Sequence, residues 1–196
     1  MKYIGDLSHV DASLLARYAC NARTVLEFGA GGSTQIIAQA LPRRASFLSL
    51  ETDPVWITTT RNNLRRLGVA HRCELLLYDD WAPVDTELFD LIFDDGVRHL
   101  RLDFALRSFP LLKVGGVLLL HDTRRLRDVR NVLSVVEMFF EEIEQVQMNE
   151  RIDGTSSNIT AVRKKAREPY VNWREAEGKP DWAYGSGVIP DEFWSE

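Results

Sequence analysis

Cysteine is scarce in this chain, which has only Cys20 and Cys73 in 196 residues. Because the two are far apart and form no Cys-x-x-Cys pair, the sequence indicates neither a disulfide framework nor a cysteine-ligated zinc site. Long apolar runs are also missing: none approaches the roughly 20 residues of a membrane span, and the N-terminus lacks the basic-then-apolar layout of a signal peptide. We therefore expect a cytoplasmic protein that does not enter a membrane.

Positive charge is in deficit, with 24 Lys and Arg against 29 Asp and Glu, a formal net charge of -5 and a pI near 5.5. A general nucleic-acid binder needs a net or clustered basic face, so this balance argues against that class of partner. The length and the 45% hydrophobic content suit one domain. We assign residues 1–165 to it and predict that residues 166–196, an aromatic-rich tail, pack along it.

Glycines cluster directly after the first apolar run of β-type residues, which contains Glu27. Such a strand passes into a helix through a turn at which a ligand approaches the backbone, so we expect Gly29 and Gly31 to leave room for a cofactor. Ser33 and Thr34 then open a helix whose unpaired N–H groups point toward the same space. A carboxylate at Glu27 repels phosphate and suits a ligand that carries an ammonium or hydroxyl groups.

A second apolar run ends in the carboxylate of Glu51, about 20 residues beyond the glycines. In dinucleotide-type folds, an acid at this distance holds the ribose diol of a bound nucleoside. Together with Glu27 and the glycine turn, Glu51 therefore predicts a nucleoside site.

These residues resemble class I S-adenosylmethionine-dependent methyltransferases, whose first motif reads acid-x-Gly-x-Gly and whose second strand ends in an acid. A later pattern narrows the resemblance: Asp95-Gly96, a helix, Leu-Leu-x-x-Gly-Gly, and a strand ending in His121-Asp122. This branch includes small-molecule and sugar O-methyltransferases similar to macrocin O-methyltransferase and, more distantly, catechol O-methyltransferase. The resemblance covers residues 25–163 and implies an α/β fold, a Rossmann-like, doubly wound, mostly parallel seven-stranded sheet with a terminal antiparallel hairpin.

Hydrophobic periodicity places the remaining elements of that fold. Further strands are predicted at residues 74–81, 88–96, 117–122, 143–148 and 157–162. Helices are predicted at residues 11–19, 35–40, 53–67, 100–112 and 127–142. Asp11 is the expected cap of the first helix, and Asp153-Gly154 is the expected turn of the closing hairpin.

The resemblance assigns S-adenosylmethionine to residues at the ends of the first four strands. The expected cofactor-binding residues are Glu27, Gly29, Ala30, Gly31, Ser33, Thr34, Glu51, Asp79, Asp80, Trp81 and Asp94. Asp79 or Asp80 would accept a hydrogen bond from the adenine amino group, and Trp81 would cover the ring. The alternative for these three residues is an acid-rich turn beside a core tryptophan.

His121 is the expected general base, because its strand ends at the cofactor face and an imidazole titrates near neutral pH. Asp95 and Asp122 are the expected catalytic acids beside it. His99 begins a helix and is the second candidate for the base. For both histidines, a hydrogen-bonded structural role is the competing interpretation.

Metal-dependent members of the family hold a divalent cation such as Mg²⁺ on acids at the ends of the fourth and fifth strands. Here Asp95 and Asp122, together with Asp94, would supply the oxygen ligands. The match is incomplete, because Thr123 stands where catechol-type enzymes carry an amide and residues 95–99 depart from Asp-Gly-x-His. Without a metal, Asp95 and Asp122 would instead fix the methionine ammonium or the turn.

Arginines gather after the fourth and fifth strands of an otherwise acidic chain. They are Arg98, Arg101, Arg124, Arg125, Arg127 and Arg130. Because a guanidinium suits phosphate or carboxylate, we expect Arg98 and Arg124 to dock a small anionic or sugar-like acceptor. The alternative is a solvated, ion-paired helix face.

The predicted function is O-methylation of a small metabolite, whose identity the sequence leaves open along with the question of a homo-oligomer. One alternative is an NAD-dependent oxidoreductase, because such enzymes share the glycine turn and the ribose-binding acid. Against it, the pyrophosphate of the dinucleotide would lie near Glu27, and this chain lacks the third glycine of the dinucleotide motif. Another is a catalytically silent interaction protein that keeps the fold and the cofactor. The altered segment at residues 95–99 keeps this last alternative open.

Overall fold

The computed structural model describes residues 2–82 and 88–165, within which strands and helices alternate. The helices are α1 (His9–Ala19), α2 (Gly32–Ala40), α3 (Pro54–Arg66), α4 (Arg101–Ser108) and α5 (Leu126–Met138). The strands are β1 (Thr24–Phe28), β2 (Ser46–Glu51), β3 (Glu74–Leu77), β4 (Phe89–Asp94), β5 (Leu112–Leu120), β6 (Ile143–Gln147), β7 (Arg151–Ile152), β8 (Thr155–Ser156) and β9 (Thr160–Lys164). This alternation is that of an α/β fold.

The main sheet has seven strands in the order β3-β2-β1-β4-β5-β9-β6. Strands β1 to β5 pair in parallel, whereas β9 is antiparallel to both β5 and β6. The chain builds the sheet outward from β1 to β3 on one side and from β4 onward on the other. Ligands of such sheets bind at the carboxyl ends of the strands where the order reverses, here between β1 and β4. The predicted doubly wound, mostly parallel sheet is confirmed.

The closing hairpin differs in detail from the prediction. Strands β6 and β9 are antiparallel neighbours as expected, but β9 begins at Thr160 rather than at residue 157. Asp153 and Gly154 form a turn with φ angles of 48° and 80°, yet this turn joins β7 and β8 in a separate two-stranded sheet. Two residues with positive φ suit so short a hairpin, so this turn determines the β7–β8 pairing.

Apolar layers cover both faces of the main sheet. On β1, Val25 packs into the layer that includes residues of α1, α2 and α3, whereas Leu26 and Phe28 pack into the layer of α4 and α5. Because side chains alternate along a strand, Glu27 points to the same face as Val25. This alternation buries Glu27 completely.

Polar side chains cap the N-termini of α1 and α3. Asp53 caps α3 by accepting from the Val55 N–H at 2.8 Å, and Pro54 is the first helical residue, as predicted. The prediction of Asp11 as the cap of α1 is wrong. Ser8 caps α1 by accepting from the Asp11 N–H at 3.1 Å, which leaves the Asp11 carboxylate available for contacts outside the helix.

The remaining predictions concern a membrane and the tail. Within residues 2–82 and 88–165, no helix is both long and apolar enough to cross a bilayer. The predicted packing of residues 166–196 lies outside the described residues.

Candidate functional site

Gly29 brings the end of β1 against the end of β4. Its φ of 92° is in the left-handed region, and its N–H donates to the Leu50 carbonyl at 2.8 Å. A Cβ on Gly29 would lie 2.4 Å from the Asp95 carbonyl oxygen, so only glycine fits. The sequence-based reason for this glycine is therefore corrected: the backbone of Asp95, rather than a cofactor, takes the space.

Glu27, the acid of the first motif, lies beneath the glycine turn with no exposed surface. Its Oε2 accepts from the hydroxyls of Thr34 and Ser49, each at 2.6 Å, and its Oε1 has no hydrogen-bond partner among the described residues. The Thr34 hydroxyl in turn accepts from the Gly31 N–H at 2.7 Å. Burial raises the pKa of Glu27 to about 7, because a carboxylate charge is poorly solvated there. Glu27 and Thr34 thus support the turn.

Glu51 lies at the end of β2 and faces the glycine turn. Its Oε2 accepts from the Ala30 N–H at 3.0 Å, and its Oε1 accepts from the N–H groups of Thr52 at 2.6 Å and Asp53 at 3.0 Å. These three donors hold the side chain in one orientation. Because a carboxylate oxygen has two lone pairs, Oε2 retains an acceptor position for a ligand hydroxyl.

A cleft of about 540 Å³ opens at the glycine turn, and we call it the glycine-turn cleft. The predicted cofactor residues in its lining are Gly29, Ala30, Gly31, Ser33 and Glu51. The carboxylates in its lining are those of Asp6, Glu51, Asp53 and Asp95. Among the described residues, no lysine, arginine or histidine lines this cleft. The cleft therefore suits a ligand that carries positive charge and hydroxyl groups.

Several lining residues of this cleft were not among the predicted site residues, and they include Asp6, Asp53 and Trp56. Trp56 is 48% exposed on α3, and its indole Nε1 would lie 3.6 Å from a Cβ on Gly31. An exposed aromatic side chain five residues beyond Glu51 is a signal that the sequence offered. Asp6 had no comparable local signal.

The residues expected at the adenine are not among those that line the glycine-turn cleft. Asp79 and Asp80 are exposed on a 3-10 turn that follows β3. Trp81 packs edge-on against Phe28, with ring centroids 5.8 Å apart, and belongs to an aromatic cluster with Tyr78. Their placement resembles the alternative interpretation, an acid-rich turn beside a core tryptophan.

A second cleft, of about 400 Å³, shares Asp6 and Asp95 with the first, and we call it the Arg101 cleft. Its other lining residues are Ser8, Asp11, Arg101, His121, Asp122, Arg125 and Asn158. All three predicted catalytic residues therefore lie in one cleft. Asp95 stands at its boundary with the glycine-turn cleft.

His121 lies between two carboxylates of the Arg101 cleft. Its Nδ1 is 3.0 Å from Asp95 Oδ1, and its Nε2 is 3.5 Å from Asp11 Oδ2. Burial by itself lowers the pKa of His121, but Asp11 and Asp95 outweigh burial and raise the pKa to about 10. A pKa this high favours the protonated ring at neutral pH, whereas the predicted general base needs a neutral ring.

Asp11 is the fully buried acid of this cleft that sequence reasoning assigned to a helix cap. Its carboxylate accepts from the Asn158 N–H at 2.6 Å, from the Asn158 amide at 3.0 Å and from the Ser8 hydroxyl at 2.6 Å. Burial raises the pKa of Asp11, but His121 and these hydrogen bonds together lower it to about 2. Asn158 is 147 positions away, so no local pattern predicts the contact.

Two further acids lie at the carboxyl ends of parallel strands, Asp94 as the last residue of β4 and Asp122 just beyond β5. Asp122 has a φ of 60°, an uncommon angle for a residue with a Cβ, and its Oδ2 accepts from Arg125 at 2.7 Å and from Arg101 at 3.0 Å. Asp94, expected among the cofactor residues, is buried and lines neither cleft. Burial raises the pKa of Asp94 well above its ordinary value, and the Gly96 N–H donates to its Oδ1 at 3.4 Å.

The arginines divide between solvent and the Arg101 cleft. Arg98 and Arg124, the expected docking residues, are exposed and line neither cleft, as is His99. Arg101 and Arg125 line the Arg101 cleft instead. The sequence thus indicated the arginine-rich segments but not the members that reach the site.

Solved structures with this fold include O-methyltransferases. TomG from Streptomyces achromogenes, involved in tomaymycin synthesis and solved with S-adenosylmethionine, has a TM-score of 0.64 at 19% identity over 83% of each chain. The O-methyltransferase from Bacillus cereus, solved with S-adenosylhomocysteine, has a TM-score of 0.64 at 17% identity over 82% of each chain. At these identities the likeness shows the fold.

Sequence comparison gives one curated relative and a family match. Ribosomal RNA small subunit methyltransferase H of Psychrobacter cryohalolentis is 28% identical over 114 residues, which are 56% of this chain. They are 33% of that protein, so this chain matches about a third of the length of its relative. The family model described as O-methyltransferase matches residues 12–156, which include β1 to β5 and the strand ends that line both clefts. Since this match covers more than half of the chain, the protein belongs to the O-methyltransferase family.

Proposed function

We propose that this protein transfers a methyl group from S-adenosylmethionine to a hydroxyl group of a small polar molecule. The acidic glycine-turn cleft is the observation that carries the proposal. It adjoins a second polar cleft through Asp6 and Asp95, so a cofactor and an acceptor have neighbouring places at the sheet edge. Family membership supports methyl transfer to oxygen.

The residues of the glycine-turn cleft fit this cofactor. Glu51 is oriented by three backbone donors and keeps an acceptor position for a ribose hydroxyl. The four carboxylates of the lining favour the ammonium and sulfonium charges, and the same carboxylates disfavour the pyrophosphate of a nicotinamide dinucleotide. This argument against an oxidoreductase replaces the one from Glu27, since Glu27 is buried.

Asp95 is the residue best placed to serve the reaction. When bound, S-adenosylmethionine supplies the methyl group on a positively charged sulfur. Asp95 lies where the clefts meet, and its side chain is 24% exposed, so its carboxylate is available to accept the proton of an acceptor hydroxyl. Protonated His121, whose Nδ1 is 3.0 Å from Asp95 Oδ1, would hold this carboxylate in place through the attraction of opposite charges. His121 thus enters the proposal as a cation and not as the base.

The lining of the Arg101 cleft indicates the class of acceptor. Carboxylates, guanidiniums, a hydroxyl and an amide alternate there, and no apolar side chain lines it among the described residues. Such a surface suits a molecule with several hydroxyl groups, as a sugar has. If the acceptor also carries an acid group, Arg125 is the available partner, because its side chain is 59% exposed.

Calorimetry tests the cofactor assignment. We expect S-adenosylmethionine and S-adenosylhomocysteine to bind and NADH not to bind. Glu51→Gln should weaken the binding of S-adenosylmethionine by about 1.5–3 kcal/mol, roughly tenfold to a hundredfold, because a charged acceptor is lost. Asp53→Asn is the matched control, since it removes the same charge from the same cleft but retains an oxygen for the Val55 N–H.

A screen with S-adenosylmethionine labelled in its methyl group tests turnover. Polyhydroxylated small molecules should accept label, and Asp95→Asn should lower kcat by about 10²–10⁴-fold, the usual contribution of a general base. Binding of NADH in preference to the sulfonium would refute the function. Cofactor binding without transfer to any acceptor class would favour the silent interaction protein.

A further inference from the structure

The guanidinium of Arg101 connects the carboxylates at the ends of two strands. Its Nη2 donates to Asp95 Oδ1 at 2.7 Å, and its Nη1 donates to Asp122 Oδ2 at 3.0 Å. Nη1 also lies 3.5 Å from Asp128 Oδ1, and Nε donates to the Gly96 carbonyl at 2.8 Å. The side chain is 12% exposed, so these contacts are shielded from water.

This place is where a divalent cation would be expected. One ligand atom each from Asp95, His121 and Asp122 lies within 4.8 Å of the others, close enough for a single ion to contact all three. The resemblance to metal-dependent methyltransferases points to the same two strand ends. We propose that the guanidinium of Arg101 takes the place of that cation, so that the site holds its carboxylates together without a metal.

One oxygen of each of the two acids is already occupied by guanidinium groups. Asp95 Oδ1 has Arg101 at 2.7 Å and His121 Nδ1 at 3.0 Å. Asp122 Oδ2 has Arg101 at 3.0 Å and Arg125 at 2.7 Å. A hard cation that used these two oxygens as ligands would have to displace both guanidiniums from them.

Three carboxylates of the cluster are each in contact with a guanidinium. The carboxylates are those of Asp95, Asp122 and Asp128, and the guanidiniums in contact with them are those of Arg101, Arg125 and Arg127. Selective sites for hard cations present an excess of negative oxygen ligands. At these three carboxylates a divalent ion would meet no such excess and would be repelled by Arg101.

A third oxygen ligand is also missing from the expected position. Thr123 stands where the catechol-type enzymes carry an amide, and it is 1% exposed. Its hydroxyl donates to the Asn158 carbonyl at 3.1 Å and accepts from Asn149 and Thr160 at 2.9 and 2.8 Å. The oxygen is therefore engaged in the packing of β5 against the loop before β9 and is not directed to the acids.

Arg101 is accordingly a positioning residue for Asp95, a role that rests on the proposed function. The planar guanidinium makes two directed hydrogen bonds to two carboxylates and so fixes their separation. A lysine carries the same charge but has no fork, so Arg101→Lys should keep cations out while holding Asp95 less firmly. The exclusion of a metal, in contrast, does not depend on the identity of the reaction.

Titration of the full-length protein with Mn²⁺, followed by calorimetry and by the electron paramagnetic resonance of the free ion, tests the exclusion. We expect no saturable binding by the wild type up to about 1 mM, the weak limit of biological divalent-cation sites. Arg101→Ala should acquire one Mn²⁺ site whose Kd is at least about tenfold below that 1 mM limit. Asp122→Asn introduced into the Arg101→Ala variant should abolish this site. Arg125→Ala is the matched control: it removes a guanidinium from the same Asp122 oxygen but leaves the bridge, and it should bind no Mn²⁺.

Stoichiometric Mn²⁺ binding by the wild type that is lost in Asp95→Asn would overturn the proposal, as would a folded Arg101→Ala variant with no gain in affinity. If Arg101→Ala does not fold by circular dichroism, the wild-type titration and Arg101→Lys decide. With an identified acceptor, activity should be unchanged by EDTA, and Arg101→Lys should lower kcat more than it raises KM. Failure to find any acceptor would count against the proposed function, while the Mn²⁺ result would still decide the exclusion.

Discussion

Glu27→Gln should change how the stability of the ligand-free protein depends on pH. Glu27 is completely buried, and its Oε1 has no hydrogen-bond partner among the described residues. Burial, with a smaller contribution from the charge of Asp95, raises the pKa of Glu27 from 4.5 to about 7, although the hydroxyls of Ser33, Ser49 and Thr34 act to lower it. The folded protein therefore binds this proton more tightly than the unfolded chain does.

The sign and size of the effect follow from proton linkage. Below pH 4.5 Glu27 is protonated in both states and contributes no penalty. As the pH rises from 4.5 through 7, the unfolded chain releases its proton first, so the free energy of unfolding decreases. A shift of roughly 2.5 pKa units at 1.36 kcal/mol each makes the loss about 3 kcal/mol, complete above pH 7. In the Gln variant this loss should be absent.

Urea denaturation between pH 5 and pH 8 measures the effect. The difference in the free energy of unfolding between Glu27→Gln and the wild type separates the contribution of Glu27 from that of the other titrating groups. As the pH rises, this difference should change by about 3 kcal/mol in favour of the variant. Glu74→Gln is the control, because Glu74 is exposed at the start of β3, and it should leave the wild-type slope unchanged. A Glu27→Gln profile parallel to that of the wild type would refute the reasoning.

Three further predictions concern the two clefts. Gly29→Ala should destabilise the protein by roughly 2–4 kcal/mol in urea denaturation, because the residue has a positive φ and its Cβ would meet the Asp95 carbonyl at 2.4 Å; a loss below the error of the measurement would contradict the close approach. The pKa of Asp11 is lowered from 3.8 to about 2, so the Asp11 carboxylate contributes about 2 kcal/mol of stability that is present above pH 3.8 and lost as the pH falls through 2. When the free energy of unfolding is measured at decreasing pH, Asp11→Asn should lose less stability in acid than the wild type does. An equal loss in both proteins would oppose the assignment. Trp56→Ala should weaken S-adenosylmethionine binding about tenfold in calorimetry with little change in stability. Val55→Ala is the control, because Val55 is exposed on the same helix, and it should change neither binding nor stability. Equal effects of the two substitutions on binding would show that Trp56 is not part of the site.

The strand, turn and helix order of this protein was predictable because its signals are local. The apolar runs of β1, β2, β4 and β5 and the Asp53-Pro54 helix start are each contained in a few neighbouring residues. Local signals were weaker at boundaries. The prediction extended the third strand beyond Leu77, where the backbone instead forms a 3-10 turn, and it assigned the Asp153-Gly154 turn to the wrong pair of strands.

The general position of the candidate site was also predictable. Parallel strands end at one edge of a sheet, so the acids after β2, β4 and β5 had to lie near one another. Glu51, Asp95 and Asp122 accordingly line the two clefts. What these acids contact there did not follow from strand order, because it depends on which side chains the helices and loops bring to the same edge.

The sequence by itself therefore determined the sheet, the glycine turn and the edge at which polar groups collect, since each depends on local periodicity and chain direction. Only the tertiary structure decided that Glu27 is sealed beneath α2, because the covering of each sheet face is a property of packed layers. It also decided the environment of His121, whose partners come from α1 and from the end of β4. The same holds for Arg101, which reaches acids 6, 21 and 27 positions away. Charges far apart in sequence alter one another's protonation and ligand preference only when folding places them a few ångströms apart in surroundings that exclude water.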